Sequence, residues 1–182
     1  MASIGHVIVG AAAARFSRKG HRTIWHPFSA AVVWSGLSLL PDADVVGSRL
    51  GVQYEDPWGH RGATHSFAFA VVVSLVAYLF AKVARFDARR TALIVLAVVV
   101  SHPLLDTLTD GGLGCALLYP FSNERFFAPW TPLPVAPIGR AFLSMEGLHV
   151  ALVELLALSP VLLYALWPFA KRRYSRGSPP PA

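Results

Sequence analysis

Apolar residues in this chain come in runs too long, and too rarely interrupted, for the core of one small soluble domain. Five such segments cover residues 4–14, 28–40, 64–83, 91–108 and 147–170. The third and fifth can cross ~30 Å of hydrocarbon at ~1.5 Å per helical residue. The fourth is just sufficient, whereas the first two are short and are expected to be tilted, partly inserted or extended by their flanks. Lipid leaves no water for backbone groups, so a continuous apolar run of this kind spans as a helix. Composition agrees: 54% of the residues are hydrophobic and only 14% are charged. The expected fold is therefore all-α, a polytopic bundle of about five spanning or partly spanning helices. It forms a single unit over residues 1–176, with a Pro-rich, disordered tail at 177–182.

The basic residues orient the bundle. Arg15, Arg18, Lys19 and Arg22 follow the first segment, Lys82, Arg85, Arg89 and Arg90 surround the junction of the third and fourth, and Lys171, Arg172, Arg173 and Arg176 follow the fifth. If each segment crosses once, all of these fall on one side, which the positive-inside rule makes cytoplasmic. The net charge of +6 is thereby accounted for by loops, and nucleic acid is not an expected partner. Cys115 is the only cysteine, so one chain can build neither a disulfide nor a thiolate metal site. No Lys or Arg precedes the first apolar segment and His6 interrupts it, so it is read as a helix retained in the mature protein, not as a signal peptide. The outer side carries the loop at 41–63 and a longer one at 109–146, whose Pro and aromatic residues suit an ordered lid or interfacial cap.

This orientation, set by Lys and Arg alone, brings the His and acidic residues to one level. His6 begins the first segment; Asp42 and Asp44 end the second in L-P-D-A-D. His60 and His65 open the third in H-R-G-A-T-H-S, His102 and Asp106 close the fourth in S-H-P-L-L-D, and Glu146 and His149 open the fifth. Carboxylates crowded at that depth repel and take up protons unless a cation holds them. Imidazole and carboxylate donors without thiolates suit Zn²⁺, Mn²⁺ or Fe²⁺. His102 and Asp106 stand four apart, on one helix face. Taken alone that pair is a weak signal that favours a packed histidine and a loop-starting aspartate; with the other clusters at the same depth, ligation is favoured. Asp42 and Asp44 cannot share one helix face, so one is expected to ligate and the other to support it. Thr64 and Ser66 suit N-capping, Gly62 a close passage of backbone beside a substrate, and Arg61 an oxyanion. Arg125 is a further candidate for substrate contact, Glu146 and His149 are possible additional ligands, and Glu154 is a candidate to hydrogen-bond a ligand. No internal repeat is evident, and no H-E-x-x-H protease motif occurs.

The motifs G-H at 5–6, L-P-D-A-D at 40–44, H-R-G-A-T-H-S at 60–66 and S-H-P-L-L-D at 101–106 resemble the YdjM family, described as inner-membrane metal-dependent hydrolases. The resemblance implies that His6, Asp42, Asp44, His60, His65, His102 and Asp106 form a metal-dependent active site. The family is distantly similar to zinc-dependent phospholipase C and P1-type nucleases. This chain departs from those soluble enzymes in offering no processed N-terminal residue as a ligand.

The expectation is thus an inner-membrane, multi-pass hydrolase with its site toward the outer face, binding one or two divalent ions. Zn²⁺ is the first choice, with Mn²⁺ or Mg²⁺ as alternatives. It would cleave a phosphoester or related bond of a membrane lipid or lipid-linked substrate by metal-activated water. His6, Asp42, His60, His65, His102 and Asp106 are the expected ligands, Asp44 the general base or orienting group, and Arg61 the oxyanion partner. A metal-ion or proton transporter built on the same cluster is the alternative. It would need polar residues continuing to the far side, and Glu154 alone interrupts the apolar inner halves.

Overall fold

The computed structural model describes residues 3–18, 26–137 and 139–175; the predicted tail at 177–182 lies outside them, as do Lys19 and Arg22. The described residues are helical, with no strand and two isolated β-bridges. The helices are α1 (Ser3–Ser17), α2 (Pro27–Ser38), α3 (Val45–Arg49), α4 (Phe67–Val83), α5 (Ala88–Thr107), α6 (Met145–Ala157) and α7 (Ser159–Ser175). One of them, α5, is by itself long and apolar enough to cross a membrane; α1 and α4 are apolar but shorter.

The second expected segment continues past a bend into a further helix, and the fifth is itself broken. After α2 the chain enters a 3-10 turn, Leu40–Asp44, and α3 leaves at 58°. Pro41 near the start of that turn has no N–H to continue the α-helical ladder. The fifth segment breaks at Leu158, where α7 departs from α6 at 68°. Pro160 in the first turn of α7 fits a new helix start and would break an unbroken one. Each bent pair is long and apolar enough for one span when taken together, which brings the candidate crossings to three.

At the centre of the fold lies α5. Val95 and Val99 pack on Ala70 of α4 under Trp34 and Leu37 of α2, while Ile94 and Val98 meet Ala13 of α1. Small residues let the backbones approach, and polar side chains tie helix to helix. The Ser74 hydroxyl of α4 donates to the Ala92 carbonyl at 2.8 Å, and Ser35 of α2 to Val7 of α1 at 3.2 Å. Gly10 sets the α1–α2 contact, since a Cβ there would lie 2.4 Å from the Ser35 Cα.

The loop after α5 is tied down by backbone pairing between residues 110 and 133. Cys115 and Phe126 exchange hydrogen bonds at 3.0 and 2.9 Å, Asp110 donates to Leu133 at 3.0 Å, and Ala116 to Arg61 at 2.9 Å. The 3-10 turn Ala63–His65, just before α4, is thereby held between this loop and the end of α5.

Candidate metal centre

Four elements converge at the end of α5. His102 and Asp106 leave α5 on one face, as their spacing requires, and both are buried. The turn after α2 supplies Asp42, the turn before α4 supplies His65, and α1 supplies His6. His6, His65 and His102 are fully buried.

The donor atoms form a compact set. His102 Nε2 lies 3.2 Å from His65 Nε2, 3.3 Å from Asp42 Oδ1 and 3.6 Å from Asp106 Oδ2. His65 Nε2 lies 3.6 Å from Asp42 Oδ1 and 3.4 Å from Asp106 Oδ2. Donors ~2.1 Å from one tetrahedral zinc stand ~3.4 Å apart, and these five separations bracket that value. The arrangement fits a divalent first-row ion.

Hydrogen bonding fixes the rings so that their lone pairs face inward. The His102 Nδ1–H donates to the Ser38 carbonyl at 2.7 Å, a group that only accepts, so Nε2 carries the lone pair of the neutral ring. Thr64 spends its one hydroxyl proton on Asp44 Oδ2 at 2.7 Å, so in its 3.1 Å contact with His65 Nδ1 the ring is the donor. His65 Nε2 is then likewise a bare acceptor. Two imidazole lone pairs thus face the Asp42 and Asp106 carboxylates. Only protons or a cation relieve that arrangement.

His6 adds a second sign. Its ring stacks on His102 at 3.7 Å, Nε2 is 3.4 Å from Asp106 Oδ1, and neither ring nitrogen has a hydrogen-bond partner among the described residues. A buried imidazole left in that state is rare without an ion or water nearby. Glu154 accepts from the Gly5 N–H at 3.0 Å, in the first turn of α1. It thus anchors the backbone beside His6, where a ligand contact was the expectation, and an anionic cap suits the positive end of α1.

Asp44 has a different role from Asp42. It receives His60 Nδ1 at 2.8 Å, the Arg61 N–H at 3.1 Å and the Thr64 hydroxyl, and lies 3.2 Å from His65 Nδ1. Asp44, His60 and His65 are close enough to form a second ion-binding group. With neutral rings, however, both histidines point N–H groups at Asp44, and a donor hydrogen excludes a metal at the same nitrogen. Asp44 orients the two rings. His60 is set back from the four-donor cluster and is 18% exposed, while Asp42 is 25% exposed, so these two border the opening.

Both arginines tie protein to protein. Arg61 is buried, donates to the Gly111 carbonyl at 2.9 Å and to Thr109 Oγ1 at 3.1 Å, and places Nε 3.7 Å from Asp106 Oδ2. It braces Asp106, and its backbone adopts φ 62°, an uncommon conformation for a side-chain-bearing residue. Gly62 accommodates the Pro57 carbonyl, 2.3 Å from where a Cβ would stand, instead of a substrate. Arg125 donates to the carbonyls of Tyr54, Asp56, His60 and Gly114 at 2.9–3.5 Å, pinning the loop that carries His60. Ser66, not Thr64, caps α4, accepting from Phe69 at 3.0 Å. Glu146 and His149 stand exposed on the outward face of α6, outside the cluster, because that helix turns Gly147, Val150 and Glu154 inward. Ser38, whose backbone carbonyl orients His102, leaves no signal in the sequence, because any residue carries a carbonyl.

The comparisons with known proteins agree with the arrangement of motifs. The family model described as YdjM inner membrane protein matches residues 1–174. The inner membrane protein YbcI of Escherichia coli (strain K12) is 42% identical over 122 residues, covering 66% of this chain and 70% of that protein. No solved structure matches. The chain belongs to the YdjM inner membrane protein family.

Proposed function

We propose that this protein is a membrane-embedded, metal-dependent hydrolase acting on a phosphoester or related bond of a lipid or lipid-linked substrate. The observation that carries the reading is the four-donor set of Asp42, His65, His102 and Asp106, with separations near those of a tetrahedral ion and lone pairs turned inward. Zn²⁺ is the ion best suited to this nitrogen and oxygen set, with Mn²⁺ and Mg²⁺ as alternatives. His6 and the second oxygen of Asp106 offer a partial neighbouring position for a second ion. A divalent ion held there would lower the pKa of water and offset negative charge on the attacked group.

The chain's own residues supply orientation and proton handling. Ser38 and Asp44 hold the tautomers of His102 and His65, and Arg61 steadies Asp106. His60, with Nδ1–H given to Asp44, keeps a lone pair on Nε2 at the partly open edge, which suits it to accept a proton from water or return one to a leaving group. This assigns the proton acceptor to His60 and makes Asp44 its orienting partner. Against a transport pathway, the buried residues of α5 ahead of His102 are apolar, Ile94, Val95, Val98 and Val99. The family's location in the inner membrane supports a substrate drawn from lipid. The basic loops support a multi-pass arrangement with the site toward the outer face.

The test is elemental mass spectrometry on protein purified without added metal or chelator, beside a His102→Ala, Asp106→Ala double variant. One or two equivalents of a transition metal, absent from the variant, support the centre. Hydrolysis of phospholipids or lipid-linked phosphates that His102→Ala abolishes, in a protein still inserted, supports the activity. A folded wild type that binds neither Zn²⁺, Mn²⁺ nor Mg²⁺ refutes both.

A further inference from the structure

A groove lies toward the other end of α5. It measures about 830 Å³ and is lined by one face of α1 (Val9, Ala12, Ala13, Phe16), the facing side of α5 from Arg89 to Val98, and Tyr164 of α7. Its walls are almost wholly apolar, and it exists because Ala12, Ala13 and Ala97 are too small to fill the space between the helices. The polar groups are confined to one end, where Asp87, Arg89 and Arg90 stand. Asp87 is engaged as the cap of α5, accepting from the Arg90 N–H at 3.1 Å. Arg90 also donates to the Phe16 carbonyl at 3.0 Å, which holds its guanidinium at the mouth, and Arg89 is exposed beside it. From Val9 to Phe16 the groove runs ~10 Å along α1, a large part of one leaflet's hydrocarbon half-thickness of ~15 Å.

An apolar slot of that length, with the held Arg90 guanidinium and the exposed Arg89 at one end, has the polarity of an amphiphile with an anionic head. We infer that this groove binds one anionic phospholipid, its acyl chain between α1 and α5 and its phosphate at Arg89 and Arg90. The site lies in the leaflet opposite the His/Asp cluster. Charge complementarity selects a lipid over a neutral apolar ligand, and the groove's length selects an acyl chain over a free anion. A bound lipid would cement α1 to α5 where their side chains leave a gap, and so support the helix that carries His6. Nothing in this inference depends on the metal centre or on hydrolysis.

Native mass spectrometry of the detergent-solubilised protein tests it, with palmitoyl-oleoyl phosphatidylglycerol and the matching phosphatidylcholine as competing probes. Two arginines near the headgroup predict a preference for phosphatidylglycerol of roughly 30-fold. An Arg89→Gln, Arg90→Gln variant is expected to lose that preference yet still retain lipid. An Ala12→Leu, Ala97→Leu variant fills the slot and is expected to retain neither lipid, with unchanged far-UV circular dichroism as the folding control. If the leucine variant does not fold, the glutamine variant decides alone. Equal retention of the two lipids by the wild type, an unchanged preference in the glutamine variant, or a lipid-free mass twice the monomer's 19.7 kDa would overturn the inference.

Discussion

At the level of single residues, the cluster separates groups placed to touch an ion from groups that aim them. Identity and spacing made His102 and Asp106 legible in the sequence, since four residues on a helix always share a face. The division between Asp42 and Asp44 was legible only as a requirement that the two differ. Their roles depend on a 3-10 turn that directs one carboxylate to the Nε2 atoms and the other to the Nδ1 atoms. If Asp44 orients His60 and His65, Asp44→Ala should weaken metal affinity about 10- to 100-fold without abolishing binding. Asp42→Ala, which removes a direct donor, should cost more. Isothermal titration with Zn²⁺ from a competing chelator separates the two, and a larger loss from Asp44→Ala would reverse the assignment. Cys115 carries a separate expectation. Burial pushes its thiol up to about 12, so the reactive thiolate is scarce at pH 8 and the side chain is covered as well. Raising the pH toward 12 increases the thiolate fraction, but access still requires opening of the loop. Folded protein should therefore resist maleimide at pH 8 and react within minutes in denaturant; rapid labelling of native protein would show that the loop after α5 opens.

At the level of elements, hydropathy located the helices better than it described them. It found the apolar stretches that became α1, α2, α4 and α5, but it read residues 147–170 as one helix where there are two. Both Pro41 and Pro160 were visible in the sequence. What was not visible is that each stands where the backbone must turn, because bend direction is set by what the following helix packs against. Glu154 shows the same limit: its burial in α6 makes sense only once α1 is known to begin beside it. The α1–α2 contact is the strongest case of packing hidden in composition. Gly10 is one more small residue in an Ala-rich run, yet a methyl there would press on the Ser35 and Trp34 backbone. Neither helix can move without disturbing His6 or the Asp42 turn. Gly10→Leu is therefore expected to destabilise the protein by about 1–3 kcal/mol or more, seen as a lower melting temperature. Gly36→Leu, at a helical glycine facing open space, is the control and should melt close to wild type. Equal melting temperatures for the two would mean that α1 and α2 are not closely packed.

At the level of the whole molecule, the arrangement makes one end polar and chemically equipped and the other basic, with α5 joining them. Residues 90 and 106 of α5 are ~24 Å apart along the helix axis, so the arginines and the His/Asp cluster belong to different leaflets if α5 crosses once. The basic residues predict which is which, because Lys and Arg are retained on the cytoplasmic side. The unreactive Cys115 provides a clean background for asking the question in intact cells. Glu55→Cys places an exposed thiol in the loop that carries His60, and Phe86→Cys places one at the turn between α4 and α5. A membrane-impermeant maleimide should label Glu55→Cys in whole cells and Phe86→Cys only after the inner membrane is opened. The opposite pattern would turn the site toward the cytoplasm and require its substrate to come from the inner leaflet. Labelling of both in intact cells would mean that α4 does not separate two compartments, and the bent pairs would then have to be re-entrant elements of a protein with fewer crossings. Only the first pattern places the His/Asp centre where a lipid headgroup of the outer leaflet reaches Asp42 and His60 while its tails stay in hydrocarbon.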